Sequence, residues 1–176
     1  MSEFYPMRGG AMTDGLLSMI QELGNTKDMN MIEIGSYIGE STILFAEHFK
    51  HVISIDPYLN DYDENDDACK FADFEIVYQK FLENISKHNN VTHIRKLSCD
   101  AIEDIKDKVD FVYIDGLHTY EQVKKDIYNY RKIIKENGFI GGHDYSQGWP
   151  DIIKGVNESI GKPDMVFKDC SWIKKL

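Results

Sequence analysis

Two carboxylates and two glycines near the start of the chain have the spacing of a site for a nucleotide-like ligand. Glu33, Gly35 and Gly39 follow the apolar residues that begin at Met31, and Asp56 ends a second apolar run. Glycines at such a turn let the backbone approach a ligand closely. Asp56 lies 21 residues after Gly35, near the separation of about 20 residues expected for a carboxylate that binds a ribose.

The glycine spacing separates two kinds of cofactor. Gly35 and Gly39 have three residues between them, whereas the Gly-x-Gly-x-x-Gly pattern of dinucleotide sites seats a pyrophosphate. S-adenosylmethionine has no phosphate, and its amino-acid end needs a close backbone turn with polar caps. The segment resembles the class I S-adenosylmethionine-dependent methyltransferases. This resemblance implies S-adenosylmethionine as the cofactor, with the binding residues Glu33, Gly35, Ser36, Gly39, Asp56, Ser98, Asp100 and Asp115.

Several of these residues also have a purely structural explanation. The glycines could form a strand-to-helix turn that binds nothing. Asp56 precedes Pro57 and could cap a turn. Asp100 could equally cap the start of a helix. The sequence alone leaves these alternatives open.

Two further motifs carry a narrower resemblance. Residues 112–127, VYIDGLHTYEQVKKDI, contain Asp-Gly followed by His118 and Tyr120, and residues 138–145, GFIGGHDY, end in His143, Asp144 and an aromatic residue. These motifs resemble the macrocin and cephalosporin-type small-molecule O-methyltransferases. The resemblance covers about residues 30–145, and it implies methyl transfer to a hydroxyl of a small molecule, for which a sugar is one candidate.

The resemblance also implies a metal site. In the metal-dependent members of these families, an acid after the fourth strand and two adjacent acids after the fifth bind a divalent ion, which lowers the pKa of the acceptor hydroxyl. Asp115, His143 and Asp144 occupy these positions. His143 departs from the pattern, because magnesium prefers oxygen ligands and imidazole suits manganese, iron or zinc. Magnesium and manganese are the candidate ions for this site, and a rim that binds no metal is the alternative.

The predicted catalytic residues are His118, His143 and Asp115. Both histidines are candidate general bases, since histidine titrates near neutral pH. The sequence does not rank them, and either could instead be a structural residue. A non-catalytic S-adenosylmethionine-binding module is a second hypothesis for the whole chain. A nicotinamide-dependent oxidoreductase is a third, which the glycine spacing disfavours.

Alternating strands and helices predict the fold. Apolar runs at residues 31–34, 52–55, 91–97, 109–114 and 139–142 are predicted strands. They predict a doubly wound, mostly parallel α/β sheet of the Rossmann-like type, with helices on both faces. Helices are expected from Thr13 to Gly24, over residues 71–88, from Thr119 to Gly138 and after Pro150. Residues 165–168 and 171–174 predict a C-terminal antiparallel pair. Because ligands bind at the carboxyl ends of parallel strands, the candidate residues should converge at one rim.

Composition limits the partners. The 176 residues suffice for a single domain, predicted at residues 13–176 after a mobile arm at residues 1–12. A net charge of −10 disfavours nucleic acid and anionic membranes. No apolar run reaches the roughly 18 residues of a membrane span. Three widely spaced cysteines predict reduced thiols and a cytoplasmic location.

The acceptor is expected to be a small molecule. The chain is short for these families, so acceptor recognition is expected to depend on residues 4–12 or on contacts in a homo-oligomer. The acidic run at residues 61–67, DYDENDD, lacks the glycine and glutamate of a calcium loop. It is interpreted as a solvated loop that would suit a neutral or cationic acceptor.

Overall fold

A computed structural model describes residues 9–63 and 72–176 of the chain. Its strands are β1 (Asn30–Ile34), β2 (His51–Ile55), β3 (Val91–Ile94), β4 (Val109–Ile114), β5 (Ile134–Gly142), β6 (Met165–Val166) and β7 (Trp172–Lys175). They form one sheet in the order β3-β2-β1-β4-β5-β7-β6. Neighbours among the first five strands are parallel, whereas β7 is antiparallel to both β5 and β6. The predicted sheet and its C-terminal antiparallel pair are confirmed.

Helices connect the strands and cover the sheet. In the described part of the chain they are α1 (Gly10–Glu22), α2 (Glu40–His48), α3 (Phe74–Ile85), α4 (Ser98–Ala101), α5 (Tyr120–Tyr130) and α6 (Pro150–Ile160). Alternate residues of β4 pack on opposite sides, as strand geometry requires. Val112 lies in a buried cluster with Ile127 of α5, whereas Phe111 lies in a second cluster with Leu16 of α1 and Phe45 of α2. Helices therefore cover both faces, as predicted.

The start of α1 corrects one predicted boundary. Thr13 was expected to cap this helix, but α1 begins at Gly10, and the main-chain N–H groups of Met12 and Thr13 donate to the oxygen of Gly9. Burial of Leu16 and the apolar residues that follow it holds this extra turn in the helix. Residues 10–12 of the expected arm therefore belong to α1, and residues 1–8 lie outside the described part of the chain.

The end of α5 corrects a second boundary. The apolar stripe of this helix continues in sequence to Ile134, so the pattern predicted a helix as far as Gly138. The helix instead ends at Tyr130, a short 3-10 turn follows, and Ile134 pairs with Val109 as the first residue of β5. Pairing with the sheet buries Ile134, which the helical pattern alone could not distinguish from burial on a helix face.

Gly35 holds the turn after β1 against the turn after β4. Its N–H donates to the oxygen of Ile55 at 2.8 Å, and its φ of +86° lies in the left-handed region. A Cβ at Gly35 would lie 1.9 Å from the main-chain oxygen of Asp115. The carboxyl ends of β1, β2 and β4 therefore meet at a point that has no room for a side chain.

Replacing Gly35 with alanine should be much more damaging than the same change at Gly24. Gly24 also has a positive φ, of +88°, but a Cβ there has nothing within 4 Å. Gly24→Ala should lower the free energy of unfolding by about 1–2 kcal/mol, the cost of the left-handed conformation. Gly35→Ala should lower it by roughly 3 kcal/mol or more, because a backbone clash is added. Urea denaturation of both variants measures this, and equal losses would contradict the close contact.

Candidate functional site

A cavity of about 360 Å³ opens where the carboxyl ends of the parallel strands meet. This volume lies within the range of small-molecule sites. The predicted site residues that line it are Gly35, Ser36, Asp56, Ser98, Asp115, His118, His143 and Asp144. They follow β1, β2, β3, β4 and β5, so the strand ends bring together residues that are up to 109 positions apart in sequence (from Gly35 to Asp144).

Asp56 organises the turn after β1. Its Oδ2 accepts hydrogen bonds from the main-chain N–H of Ser36 at 2.9 Å and of Tyr37 at 3.2 Å, and its Oδ1 accepts one from the N–H of Tyr58 at 2.9 Å. Burial raises the pKa of the Asp56 carboxyl, although these three N–H groups favour its ionised form. Asp56 therefore both closes the turn and presents a carboxylate to the cavity.

Glu33 and Gly39 do not line the cavity. Glu33 is fully buried, and its two carboxylate oxygens accept hydrogen bonds from the hydroxyls of Ser41 and Thr42 in the first turn of α2. Gly39 precedes α2 with a φ of +85°. Both residues build the junction between β1 and α2, and their positions give no support to a direct contact with a cofactor.

Asp100 is also outside the cavity wall. It is exposed on α4, whereas Ser98 at the start of the same helix is buried and lines the cavity. A different acid, Asp126, stands beside Ser98 in the lining. The predicted contact of Asp100 is therefore not supported, and Asp126 is the acid that the structure places at this wall.

Asp126 was missed by the sequence analysis. Its Oδ1 accepts hydrogen bonds from the Ser98 hydroxyl at 2.6 Å and from Nε2 of Gln122 at 2.9 Å. Burial raises the pKa of the Asp126 carboxyl to about 6. A signal was present, because Asp126 lies three residues after Val123 and beside Ile127 on the apolar face of α5. A charged residue on such a face requires partners, and these are the partners.

Thr119 and Gln122 have the spacing of a capping box, but only half of the box forms. Thr119 caps α5, and its hydroxyl oxygen accepts a hydrogen bond from the main-chain N–H of Gln122 at 3.4 Å. The Gln122 side chain does not reach back to Thr119, since its Nε2 donates to Ser98 and Asp126 instead. Thr119 therefore caps the helix, while the Gln122 side chain stabilises Ser98 and Asp126 in the cavity wall.

Another part of the wall gathers groups that could hold a metal ion. One ligand atom from each of Asp115, His118 and Asp144 lies within 4.8 Å of the others. His118 Nε2 is 3.0 Å from Oδ2 of Asp144, and its Nδ1 is 2.8 Å from Oδ2 of Asp63. This group shares Asp115 and Asp144 with the predicted ligand set and contains His118 where the prediction has His143.

His143 lies beside this group. Its Nδ1 is 3.2 Å from Oδ2 of Asp144 and 3.8 Å from Oδ1 of Asp115, and its Nε2 is 3.9 Å from Oδ2 of Asp169. Asp169 is buried in the connection between β6 and β7, and the sequence analysis did not single it out. The connection between β6 and β7 therefore places an acid beside the Nε2 atom of His143.

The charges of the site explain the state of His118. Burial alone would lower the pKa of the His118 imidazole, but hydrogen bonds to Asp144 and Asp63 and the nearby Asp115 outweigh burial and raise it to about 10. Burial likewise opposes ionisation of Asp144, yet contacts with His118 and His143 hold the pKa of its carboxyl below the usual range. In the protein alone, His118 is a cation held between carboxylates at neutral pH.

The cavity wall is acidic. Of the described residues that line it, six carry carboxylates and none is a lysine or an arginine; the six are Glu40, Asp56, Asp63, Asp115, Asp126 and Asp144.

Among the helices in the described part of the chain, none is long and apolar enough to cross a membrane.

Comparison with known proteins gives a family and a fold. Residues 32–145 match the family described as a methyltransferase domain. The uncharacterized protein R132 of Acanthamoeba polyphaga mimivirus is 27% identical over 154 residues, or 81% of this chain, which spans 65% of that protein's length.

Two solved structures share the fold. A putative caffeoyl-CoA O-methyltransferase from Staphylococcus aureus has a TM-score of 0.64 and 19% identity, with 97% of this chain and 84% of that chain covered. CalS11, a TDP-rhamnose 3'-O-methyltransferase of calicheamicin biosynthesis, has a TM-score of 0.66 and 13% identity, with 96% and 81% covered. The Rossmann-like methyltransferase fold predicted from the sequence is confirmed.

The raised pKa of Asp126 predicts how stability depends on pH. A carboxyl whose pKa is higher in the folded state stabilises the fold below its unfolded pKa, and this contribution is lost as the pH rises through about 6. Asp126→Asn should remove that loss, which amounts to at most about 3 kcal/mol between pH 4 and 8. Urea unfolding at several pH values measures it, with Asp100→Asn on the exposed side of α4 as the control. An unchanged pH slope in Asp126→Asn would show that the carboxyl is not perturbed.

Proposed function

Since the chain belongs to the methyltransferase domain family, we propose that it transfers the methyl group of S-adenosylmethionine to a hydroxyl oxygen of a small molecule, with the help of a divalent cation. One observation carries this proposal. The turn closed by Asp56 and the group of Asp115, His118 and Asp144 line the same cavity. A donor and an activated acceptor could therefore meet there without any movement of the sheet.

The turn after β1 suits the donor. Gly35 lines the cavity and lets this turn lie against the main chain of Asp115. The carboxylate of Asp56 is placed to accept hydrogen bonds from ribose hydroxyls. Ser98 and Asp126 offer a hydroxyl and a carboxyl to the polar edge of an adenine ring. When bound, the donor supplies an electrophilic methyl group on its sulfonium, and these residues align it with the acceptor.

Asp115, His118 and Asp144 would hold the cation. Two carboxylates and one imidazole fit manganese or zinc better than magnesium, which prefers oxygen ligands. A bound cation would lower the pKa of the acceptor hydroxyl, so that an oxyanion forms near neutral pH. It would also balance the negative charge that these carboxylates bring to the wall.

His143 is the residue that we assign as the general base. His118 is protonated at neutral pH in the protein alone, and as a cation ligand its Nε2 would be occupied. In neither state can it take the acceptor proton. His143 lines the same cavity, and its Nδ1 lies within 4 Å of both Asp115 and Asp144, which favour the protonated ring that results.

The charge of the wall limits the acceptor. Caffeoyl-CoA and TDP-rhamnose, after which the two structural neighbours are named, both carry phosphates. This cavity has six carboxylates and no lysine or arginine among its described lining residues to bind such groups. We propose a neutral or cationic hydroxyl compound as the acceptor, for which a sugar or an amino sugar qualifies. Trp149 offers an aromatic wall for a sugar ring.

Calorimetric titration of S-adenosylhomocysteine tests the donor site. Micromolar binding is expected for the wild-type chain, and Asp56→Ala should weaken it by at least about tenfold, because a carboxylate that accepts ligand hydrogen bonds contributes roughly 1.5–3 kcal/mol. Asp61→Asn, on the same loop but exposed, should bind as the wild type does. Circular dichroism confirms that each variant is folded. Preferential binding of NAD, or no binding of the homocysteine, would refute the donor assignment.

A pH–rate profile tests the base. With an acceptor found by screening neutral and cationic hydroxyl compounds, His143→Gln should lower kcat by about 10²–10⁴-fold, the usual contribution of a general base. Its affinity for S-adenosylhomocysteine should stay unchanged, and the acidic limb of the profile should disappear. If His143→Gln retains kcat within twofold of the wild-type value, another group must accept the proton of the acceptor hydroxyl.

A further inference from the structure

We propose that Asp63 is a positioning residue that fixes the ring of His118, so that Nε2 faces the site shared with Asp115 and Asp144. Asp63 lies on the loop that follows β2, 55 residues before His118 in sequence. The inference rests on the proposed function, because it concerns the same cation site, but it can be tested without any acceptor.

Asp63 contacts both the main chain and the imidazole ring of His118. One oxygen, Oδ2, lies 2.8 Å from the ring Nδ1 and accepts a hydrogen bond of 2.8 Å from the main-chain N–H of His118. The Asp63 side chain is only 3% exposed. A carboxylate that merely anchored its loop would need one of these contacts, whereas the two together fix both the backbone and the ring.

Two other groups complete the restraint on the ring. The indole of Trp149 is stacked on the imidazole, with ring centroids 4.4 Å apart and planes inclined by 25°. On the opposite edge, Nε2 of His118 is 3.0 Å from Oδ2 of Asp144. The stacking sets the plane of the ring, and Asp63 sets its rotation within that plane, so that Nε2 points at the two acids.

The hydrogen bond to Asp63 also determines which nitrogen can bind a cation. When the Nε2 proton is lost to a binding cation, a ring whose Nδ1–H donates to a carboxylate has its lone pair on Nε2. That atom is the one within reach of Asp115 and Asp144. In metal sites, an outer carboxylate of this kind typically changes metal affinity by about 10–100-fold when it is removed.

The test compares three variants of the full chain. Asp63→Ala removes the acceptor for Nδ1–H, Asp63→Asn keeps an acceptor oxygen, and Asp61→Asn changes an exposed residue of the same loop. Free Mn²⁺ is measured by electron paramagnetic resonance, S-adenosylhomocysteine affinity by calorimetry without metal, and the His118 Nδ1–H proton by ¹⁵N-edited NMR without metal.

Asp63→Ala should weaken Mn²⁺ binding by about 10–100-fold and abolish the exchange-protected Nδ1–H signal, while S-adenosylhomocysteine binds within threefold of the wild type. Asp63→Asn should recover the signal and most of the Mn²⁺ affinity, and Asp61→Asn should match the wild type. Unchanged Mn²⁺ affinity and an unchanged Nδ1–H signal in Asp63→Ala would overturn the proposal. An equal loss of affinity for Mn²⁺ and for S-adenosylhomocysteine in Asp63→Ala would also overturn the proposal, because it would mean that Asp63 only holds the loop.

The two proposals can fail separately. If the wild-type chain binds S-adenosylhomocysteine but no Mn²⁺, the cation site of the proposed function is wrong. The NMR comparison then decides the role of Asp63 by itself: loss of the Nδ1–H signal in Asp63→Ala and its return in Asp63→Asn supports positioning of the ring, and an unchanged signal refutes it.

Discussion

The contact between the turn after β1 and the turn after β4 is the constraint on which the rest of the site depends. A side chain at Gly35 would collide with the main chain of Asp115, so the two turns can meet only because residue 35 is glycine. The same residue bonds to Ile55 at the end of β2, directly before Asp56. One position without a side chain therefore joins three strand ends. It places the carboxylate proposed for the donor beside the acids proposed for the cation.

Charge balance is the second organising feature. Six carboxylates line one cavity, and each must be offset by main-chain N–H groups, hydroxyls, histidines or a bound cation. Asp56 is offset by three N–H groups, Asp126 by Ser98 and Gln122, and Asp144 by the two histidines. In the protein alone, the proton on Nε2 of His118 provides the positive charge that a divalent ion bound to His118, Asp115 and Asp144 would provide instead. An acidic wall of this kind favours a neutral or cationic acceptor.

The sequence predicted those features that follow from local pattern. The apolar runs located β1 and β4, and their polar ends predicted the rim, because parallel strands point the same way. Features that depend on tertiary packing were missed. Ile134 continued the helical stripe of α5 although it pairs in the sheet. Asp126 was missed because one of its partners, Ser98, lies on another helix, 28 residues earlier in the chain. The contact of Asp63 with the His118 ring was also missed, because it joins a distant loop to the turn after β4 and no local spacing encodes it.

One cavity is proposed to hold the methyl donor and a divalent cation together. Paramagnetic broadening measures this directly: NMR lines of protein-bound S-adenosylhomocysteine are recorded with Mg²⁺ and then with Mn²⁺. Mn²⁺ should broaden these lines in the wild-type chain, and Asp144→Ala, which removes a proposed cation ligand, should restore sharp lines while the homocysteine stays bound. Lines that remain sharp when Mn²⁺ saturates the wild-type chain would place the cation outside the cavity that holds the donor.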